Sequence, residues 1–229
     1  MTTSGTFAFA PSMGDLIMSA YARIQIRRAQ LLQEHLEDAQ REANLWLVSV
    51  ANRGPNLWTV DLITTPLVEG TATYAVPPTT IMILDPYVDI TTGGDPISRT
   101  ITPLSRSDYA AMSNKAQRGQ PTSFWFDRLI DPSITIWPVP DNGGPYTLRY
   151  YRFRQSQDAN LQNGENVELP YRILDAFVAG LAHRLARIWQ PGVEAQRKAD
   201  ADEAWAIAAA QDTENAPVTI APRLSSYFR

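Results

Sequence analysis

The feature that most constrains the fold is a change of sequence period along the chain. Apolar residues recur at helical spacing near both ends, whereas β-branched and aromatic residues separated by Gly and Pro dominate the middle. The clearest boundary is Asn52-Arg53-Gly54-Pro55, where glycine can adopt a left-handed cap and proline cannot continue a helix. The order helical, β-rich, helical predicts an α+β fold in which the β part is inserted between helices of one bundle.

Four helices are predicted for the bundle, two on each side of the β-rich region, and the first of them is short. Ser12 and Asp15 have the spacing of a capping box, so the first helix begins there and extends to Ile24. The apolar face of the second helix comprises Leu32, Leu36, Ala39, Ala43, Trp46 or Leu47, and Val50. The third helix opens at Pro170, and its apolar face comprises Leu174, Phe177, Val178, Leu181, Leu185 and Ile188. The fourth spans about 193–211 and has a face of Ala201, Ala204, Trp205 and Ala208, whose alanines would let another helix approach closely.

The middle of the chain is predicted to form an antiparallel sheet or a small barrel. Six short runs contain alternating or clustered β-forming residues and are separated by Gly and Pro: 57–64, 71–76, 80–84, 123–127, 134–137 and 146–153. Ser105 and Asp108 repeat the capping-box spacing, which predicts one short helix within the β-rich region.

The last segment, residues 213–229, is predicted to be an extended arm. Pro217 and Pro222 prevent it from continuing the fourth helix, and its alternating apolar residues suit addition to the edge of a sheet. The candidate residues for binding a partner or a neighbouring subunit are Val218, Ile220, Arg223, Leu224, Tyr227, Phe228 and Arg229.

The predicted fold is therefore a four-helix bundle with an inserted antiparallel β-rich subdomain and an extended C-terminal arm. Residues 1–54 are assigned to the N-terminal helices and 55–168 to the β-rich insertion with its short helix. Residues 169–212 are assigned to the C-terminal helices, and 213–229 to the arm.

Composition narrows the classes of function. The chain has 229 residues, 44% of them hydrophobic, which is enough for a substantial core. It contains no cysteine, which excludes disulfides and thiolate sites and fits folding in a reducing cytoplasm. The formal charge of -4 argues against a nucleic-acid-binding surface, and the basic clusters around Arg23 and Arg184 are interpreted as solvated helix faces. Residues 1–11 lack the pattern of a secretory signal, and no apolar run is long enough to span a bilayer, so neither export nor a membrane partner is expected.

Few residues suggest catalysis. The two histidines, His35 and His183, have no partner at a metal-ligand spacing, and no serine lies in a nucleophile motif. The double glycines at 93–94 and 143–144 lack the lysine of a phosphate-binding loop and are interpreted as turns between strands. No catalytic residue, cofactor or metal site is therefore predicted.

One enzymatic alternative stays open, because glycoside cleavage requires only two suitably separated carboxyl groups. Glu165 with Glu168, or Asp127 with Asp131, could form such a pair, although solvated loop acids are the simpler interpretation. A peptidoglycan hydrolase is therefore kept as an alternative to a structural protein.

A series of short motifs, in this order and spacing, resembles the head-to-tail adaptor family of short-tailed bacteriophages, also called tail accessory or head-completion proteins. The matching motifs are Asn44-Leu45-Trp46-Leu47, Asn52-Arg53-Gly54-Pro55-Asn56-Leu57-Trp58, Ile83-Leu84-Asp85, Pro103-Leu104-Ser105-Arg106-Ser107-Asp108-Tyr109, Asn114-Lys115, Gly119-Gln120-Pro121, Asp127-Arg128, Trp137-Pro138-Val139-Pro140-Asp141, Pro170-Tyr171 and Gly180-Leu181-Ala182. Together they cover about residues 13–212. The chain departs from the family at Val50, where tryptophan is frequent, and at Gln25, where glycine commonly separates the first two helices.

This resemblance implies a structural virion protein at the head-tail junction, assembled in the host cytoplasm. It implies a ring of about twelve copies that binds the portal protein on one side and a tail nozzle or tail-hub protein on the other. Genomic DNA would pass through the ring without specific binding, which agrees with the mild negative charge. The resemblance carries no catalytic residue and no cofactor. A different neck ring, such as a stopper, is a further alternative.

Overall fold

The computed structural model describes residues 3–6, 9–54, 56–91, 93–161 and 164–213. Within these residues the chain forms five α-helices: α1 (Met13–Arg23), α2 (Gln33–Ala51), α3 (Arg106–Ala111), α4 (Leu174–Trp189) and α5 (Glu194–Gln211). The same residues form eight strands: β1 (Val60–Pro66), β2 (Thr73–Ala75), β3 (Thr80–Ile90), β4 (Ile97–Thr100), β5 (Thr102–Pro103), β6 (Ser123–Asp127), β7 (Ser133–Trp137) and β8 (Tyr146–Arg154). The predicted α+β class is confirmed.

Local capping interactions begin two of the helices as predicted. Ser12 Oγ accepts a hydrogen bond from the Asp15 backbone N–H at 3.3 Å, and Asp15 Oδ2 accepts one from the Ser12 N–H at 3.2 Å. Ser105 and Asp108 make the same reciprocal pair at the start of α3. Each box satisfies backbone donors that the first helical turn leaves unpaired, which explains why both helices begin where they do.

The connection between α1 and α2 contains a backbone conformation that favours glycine. Gln25 has φ of +66°, in the left-handed region. This is the position at which the resembling family commonly has glycine, and glycine is the residue that adopts this conformation without strain. The break between the first two helices therefore places a non-glycine residue in a strained backbone conformation.

The helical layer is organised around α4. Helices α1, α2 and α5 each pack on it, and the buried core includes Tyr21, Trp46, Phe177, Leu181 and Leu185. Helices α1, α2 and α5 thus surround α4, and this arrangement does not confirm the predicted four-helix bundle. Two residues assigned to apolar faces were wrongly placed, because Leu32 is 59% exposed before α2 and Ile188 is 44% exposed near the end of α4.

The β-rich region folds into two packed four-stranded sheets. The first has the strand order β1-β8-β3-β4 and is antiparallel throughout, and the second has the order β2-β7-β6-β5. The side chains of the core between them, all buried, are Val76, Val88, Ile101, Phe124, Ile134, Ile136, Tyr146, Leu148 and Tyr150. Inward residues alternate along β8, which is the pattern of a sheet with one buried face.

The prediction of a purely antiparallel subdomain was wrong at one pairing, because β5 runs parallel to β6. The chain leaves the first sheet at the end of β4, places Ile101 in the core, and joins the edge of the second sheet as β5. Both β4 and β5 were missed in the sequence, since β4 is exposed along its length and β5 has only two residues. The division of the chain into four units stays a prediction.

Within the described residues, no helix combines the length and the apolar character required to cross a bilayer.

Candidate functional site

Both histidines contact neighbouring helices. His35 is buried, its ring stacks on Trp189 at 4.0 Å between centroids, and its Nδ1 accepts a hydrogen bond from the Leu32 backbone N–H at 3.3 Å. The Nε2 atom of His183 lies 3.0 Å from Glu194 Oε1. Each histidine therefore joins elements of the helical layer, and the described residues contain no group of three or more metal-ligating side chains.

The carboxylate pairs considered for glycoside cleavage lie in different environments. The guanidinium of Arg154 hydrogen-bonds to Glu168 and holds the pKa of that carboxyl below its ordinary value. A general acid in a glycosidase requires a raised pKa, so Glu168 is electrostatically unsuited to this role. The backbone carbonyl of Glu165 accepts a hydrogen bond from the Met13 N–H at 3.0 Å. Asp127 is the last residue of β6, and Asp131 lies in the connection between β6 and β7.

The two double glycines lie in turns, as the sequence indicates. Gly93 and Gly94 lie between β3 and β4, and Gly143 and Gly144 lie between β7 and β8. Asp141 Oδ1 accepts hydrogen bonds from the Gly143 N–H at 2.9 Å and from the Tyr146 hydroxyl at 2.7 Å. A Cβ atom at position 143 would lie 2.9 Å from the Tyr146 hydroxyl oxygen and 3.0 Å from Asp141 Oδ1, so these side chains would have to shift to accommodate any residue larger than glycine.

A network of charged groups connects the sandwich to the segment that leads to the helices. Arg152 binds Asp61 through two hydrogen bonds of 2.6 and 3.0 Å, and Arg154 reaches both Asp61 and Glu168. Farther along, the side-chain amide of Asn44 exchanges two hydrogen bonds with the backbone of Ala159, at 2.7 and 3.2 Å. These contacts fasten the segment after β8 to the sandwich at one end and to α2 at the other.

A cavity of about 230 Å³ lies between α2, α4 and α5 and is here called the cationic cleft. Its basic side chains are Arg53, Arg184, Arg187 and Lys198, and Asp202 is the acidic residue of its lining. Arg184 is paired with Glu42 at 3.2 Å, and Arg53 lies 4.6 Å above the ring of Trp205. Arg53, Arg187 and Lys198 have no ion-pair partner among the described residues, so the cleft carries an uncompensated positive charge.

The wall of the cationic cleft depends on one glycine. A Cβ atom at Gly180 in α4 would lie 2.0 Å from Trp46 Nε1, so glycine is required for the indole of Trp46 to reach this position. Trp46 in turn packs edge-on against Phe177 and Trp205. The close approach of α2 and α4 therefore sets the depth of the cleft.

The sequence did not predict the cationic cleft. Its residues come from three helices, and Arg184 was interpreted as part of a solvated face although it pairs with Glu42 of α2. Four basic residues separated by up to 145 positions leave no local pattern in the sequence. Only the packing of α2 and α5 on α4 brings them together.

Large apolar side chains are exposed at several other places. Leu129 and Ile130 form the tip of the connection between β6 and β7 and are 65% and 92% exposed. Tyr171, which precedes α4, is 80% exposed. A protein that functions in a larger assembly commonly leaves such residues for its partners to cover.

The predicted arm residues lie outside the described part of the chain. These are Val218, Ile220, Arg223, Leu224, Tyr227, Phe228 and Arg229. Asp212, the last residue before the arm, is held by its side chain. Its carboxylate accepts hydrogen bonds from the Leu57 backbone N–H at 3.1 Å and from the Arg172 guanidinium at 2.8 Å. The arm therefore starts beside Leu57, three residues before β1, which is an edge strand of the first sheet.

Comparison with known proteins gives one family. The family described as SU10 adaptor protein matches residues 11–222, which is nearly the whole chain and includes both the helical layer and the sandwich. No curated protein matches the sequence. On the strength of that match the chain belongs to the SU10 adaptor protein family, a family of phage head-tail adaptors.

Proposed function

We propose that this phage structural adaptor forms the ring between portal and tail. About twelve copies assemble under the portal protein, bind a tail nozzle or tail-hub protein on the other side, and leave a central passage for DNA during ejection. The protein then resides in the virion at the head-tail junction, after assembly in the host cytoplasm. The observation that carries the proposal is the family match over residues 11–222.

Two features of the molecule support an assembly role. The exposed apolar residues at the tip of the β6–β7 connection and before α4 are available for contact with other proteins. The arm begins at a rigid point, because Asp212 is bonded to both Leu57 and Arg172. We propose that the arm docks on the portal or on a neighbouring copy, with its alternating Val218 and Ile220 added to a sheet edge.

A structural role is favoured over the hydrolase alternative by one observation. Arg154 keeps Glu168 in its ionised form, and the pair joins the sandwich to the segment before α4. Glu168, one carboxyl of the candidate pairs, is thus used as a structural ion pair rather than as a proton donor.

The test is reconstitution with the cognate portal. The purified chain is mixed with portal rings and analysed by light scattering and cryo-EM, with the chain alone as the control. We expect a monomer alone and a ring of about twelve copies on the portal. Failure to bind the portal, combined with binding to an isolated tail component, would instead support a stopper-like neck protein.

A further inference from the structure

We propose that the cationic cleft of one copy binds α5 of a second copy, on the side of α5 that faces away from the second copy's own cleft. Helix α5 then forms the contact between neighbours in the ring. This inference rests on the ring proposed above and adds the surfaces through which copies meet. It concerns described residues only, and it does not involve the arm.

The cationic cleft has a charge that the protomer does not neutralise. Arg53, Arg187 and Lys198 are exposed and have no ion-pair partner within the described residues, and Asp202 is the acidic residue in the lining of the cleft. The whole chain has a formal charge of -4, so this local excess of positive charge is opposite in sign to the rest of the surface. Such a surface attracts carboxylates of another copy.

The other side of α5 has the complementary charge. Here α5 and α4 form a shallow surface, with α1 beside it, on which Asp175, Asp200 and Glu203 outnumber Arg23 and Arg197. Arg23 is paired with Asp175 at 2.5 Å and Arg197 with Asp200 at 2.9 Å. Glu203 has no ion-pair partner among the described residues and is therefore available to a neighbour.

Apolar residues accompany both charged surfaces. Ile207, one turn after Glu203, is 62% exposed. On α2, Leu45 and Val48 are exposed next to Ser49, which lines the cationic cleft. Each partner surface thus combines charge with exposed aliphatic side chains, which is the composition of a protein interface rather than of a site for a small anion.

The placement of the two surfaces suits a ring. They lie on opposite flanks of one helix, so a contact between them joins unlike faces and leaves one face of each kind free at the two ends of the growing assembly. A contact of this kind repeats around an axis and closes when the rotation permits.

The test uses charge reversal with exchange. Lys198→Glu and Glu203→Lys each place like charges in the proposed contact, and the double variant restores opposite charges between neighbours. We expect each single variant to reduce ring formation on portal about tenfold, and the double variant to recover most of it. Native mass spectrometry measures the number of copies bound per portal, and the matched controls are Arg106→Glu and Asp95→Lys in the sandwich region.

The outcomes separate this inference from the proposed function. If wild-type chains do not assemble on the portal, the ring itself is wrong. If they do, and Lys198→Glu assembles as well as the wild type or the double variant stays defective, the cleft does not bind α5 of a neighbour. If Lys198→Glu loses duplex DNA binding in a gel-shift assay but forms rings as the wild type does, the cleft binds DNA phosphates and the inference is overturned.

Discussion

The close approach of α2 and α4 at Gly180 allows a quantitative test of the helical layer. A Cβ atom at this position would lie 2.0 Å from Trp46 Nε1, whereas real Cβ contacts essentially never fall below 3.0 Å. In Gly180→Ala the indole must therefore retreat by about 1 Å. Trp46 is 3% exposed and packs edge-on against Phe177 and Trp205, so a retreat of the indole disturbs both of these ring contacts.

The expected cost follows from two opposing effects. Overpacking of a close-packed core costs up to about 3 kcal/mol, and replacing glycine by alanine inside a helix returns about 1 kcal/mol. The net destabilisation of Gly180→Ala is therefore about 2 kcal/mol. For a chain of this size that corresponds to a fall in Tm of about 4–8 °C.

The assay is urea and thermal unfolding followed by circular dichroism, with Gly14→Ala as the matched control. Gly14 is also a helical glycine, but the nearest atom to its added Cβ is Ser12 Oγ at 3.8 Å, an ordinary contact. The control should be unchanged or stabilised by up to about 1 kcal/mol. Should Gly180→Ala unfold at the same urea concentration as the wild type or a higher one, the close helix approach and the wall of the cationic cleft are wrong.

Three further predictions concern backbone strain, pH and the arm. Gln25→Gly should stabilise the chain by about 0.5–1 kcal/mol in urea unfolding, because glycine adopts the left-handed conformation without strain; a destabilisation would contradict it. The pKa of Glu168 is lowered beside Arg154, so this carboxylate contributes stability that is present above its unfolded-state pKa and is lost as pH falls through its folded-state pKa. Glu168→Gln should therefore be less stable than the wild type at pH 7. The variant should also lose less stability than the wild type as the pH falls into the acid range. Equal acid limbs in the two proteins would refute this linkage. Deletion of residues 217–229 should leave Tm of the isolated chain almost unchanged and weaken portal binding in a pull-down, and full binding by the truncated chain would remove the arm as the docking element.

Elements defined by neighbouring residues could be read directly from the sequence. Ser12 and Ser105 begin helices because each bonds to an acid three residues later, and that interaction needs nothing from the rest of the fold. The end of α2 near Gly54, which has φ of +137°, follows from the same local chemistry. The α+β class follows from the change of period along the chain.

Features that depend on contacts between distant segments were decided by the tertiary structure. A 3.6-residue period predicts both Leu185 and Ile188 on the apolar face of α4. The neighbouring helices cover Leu185 and leave Ile188 exposed. The parallel pairing of β5 depends on which sheet edge is free after the chain crosses the core.

The candidate site depends on the tertiary structure still more strongly. The cationic cleft requires three helices to bring Arg53, Arg187 and Lys198 to one surface, although these residues are up to 145 positions apart. The sequence predicts Glu168 as a solvated loop acid, whereas in the structure it forms an ion pair with Arg154. The starts and ends of the helices and the fold class follow from local residue patterns, because the energies that set them arise within a few residues. The buried faces and the charge contacts follow from packing, because their energies arise between segments whose register no local pattern encodes.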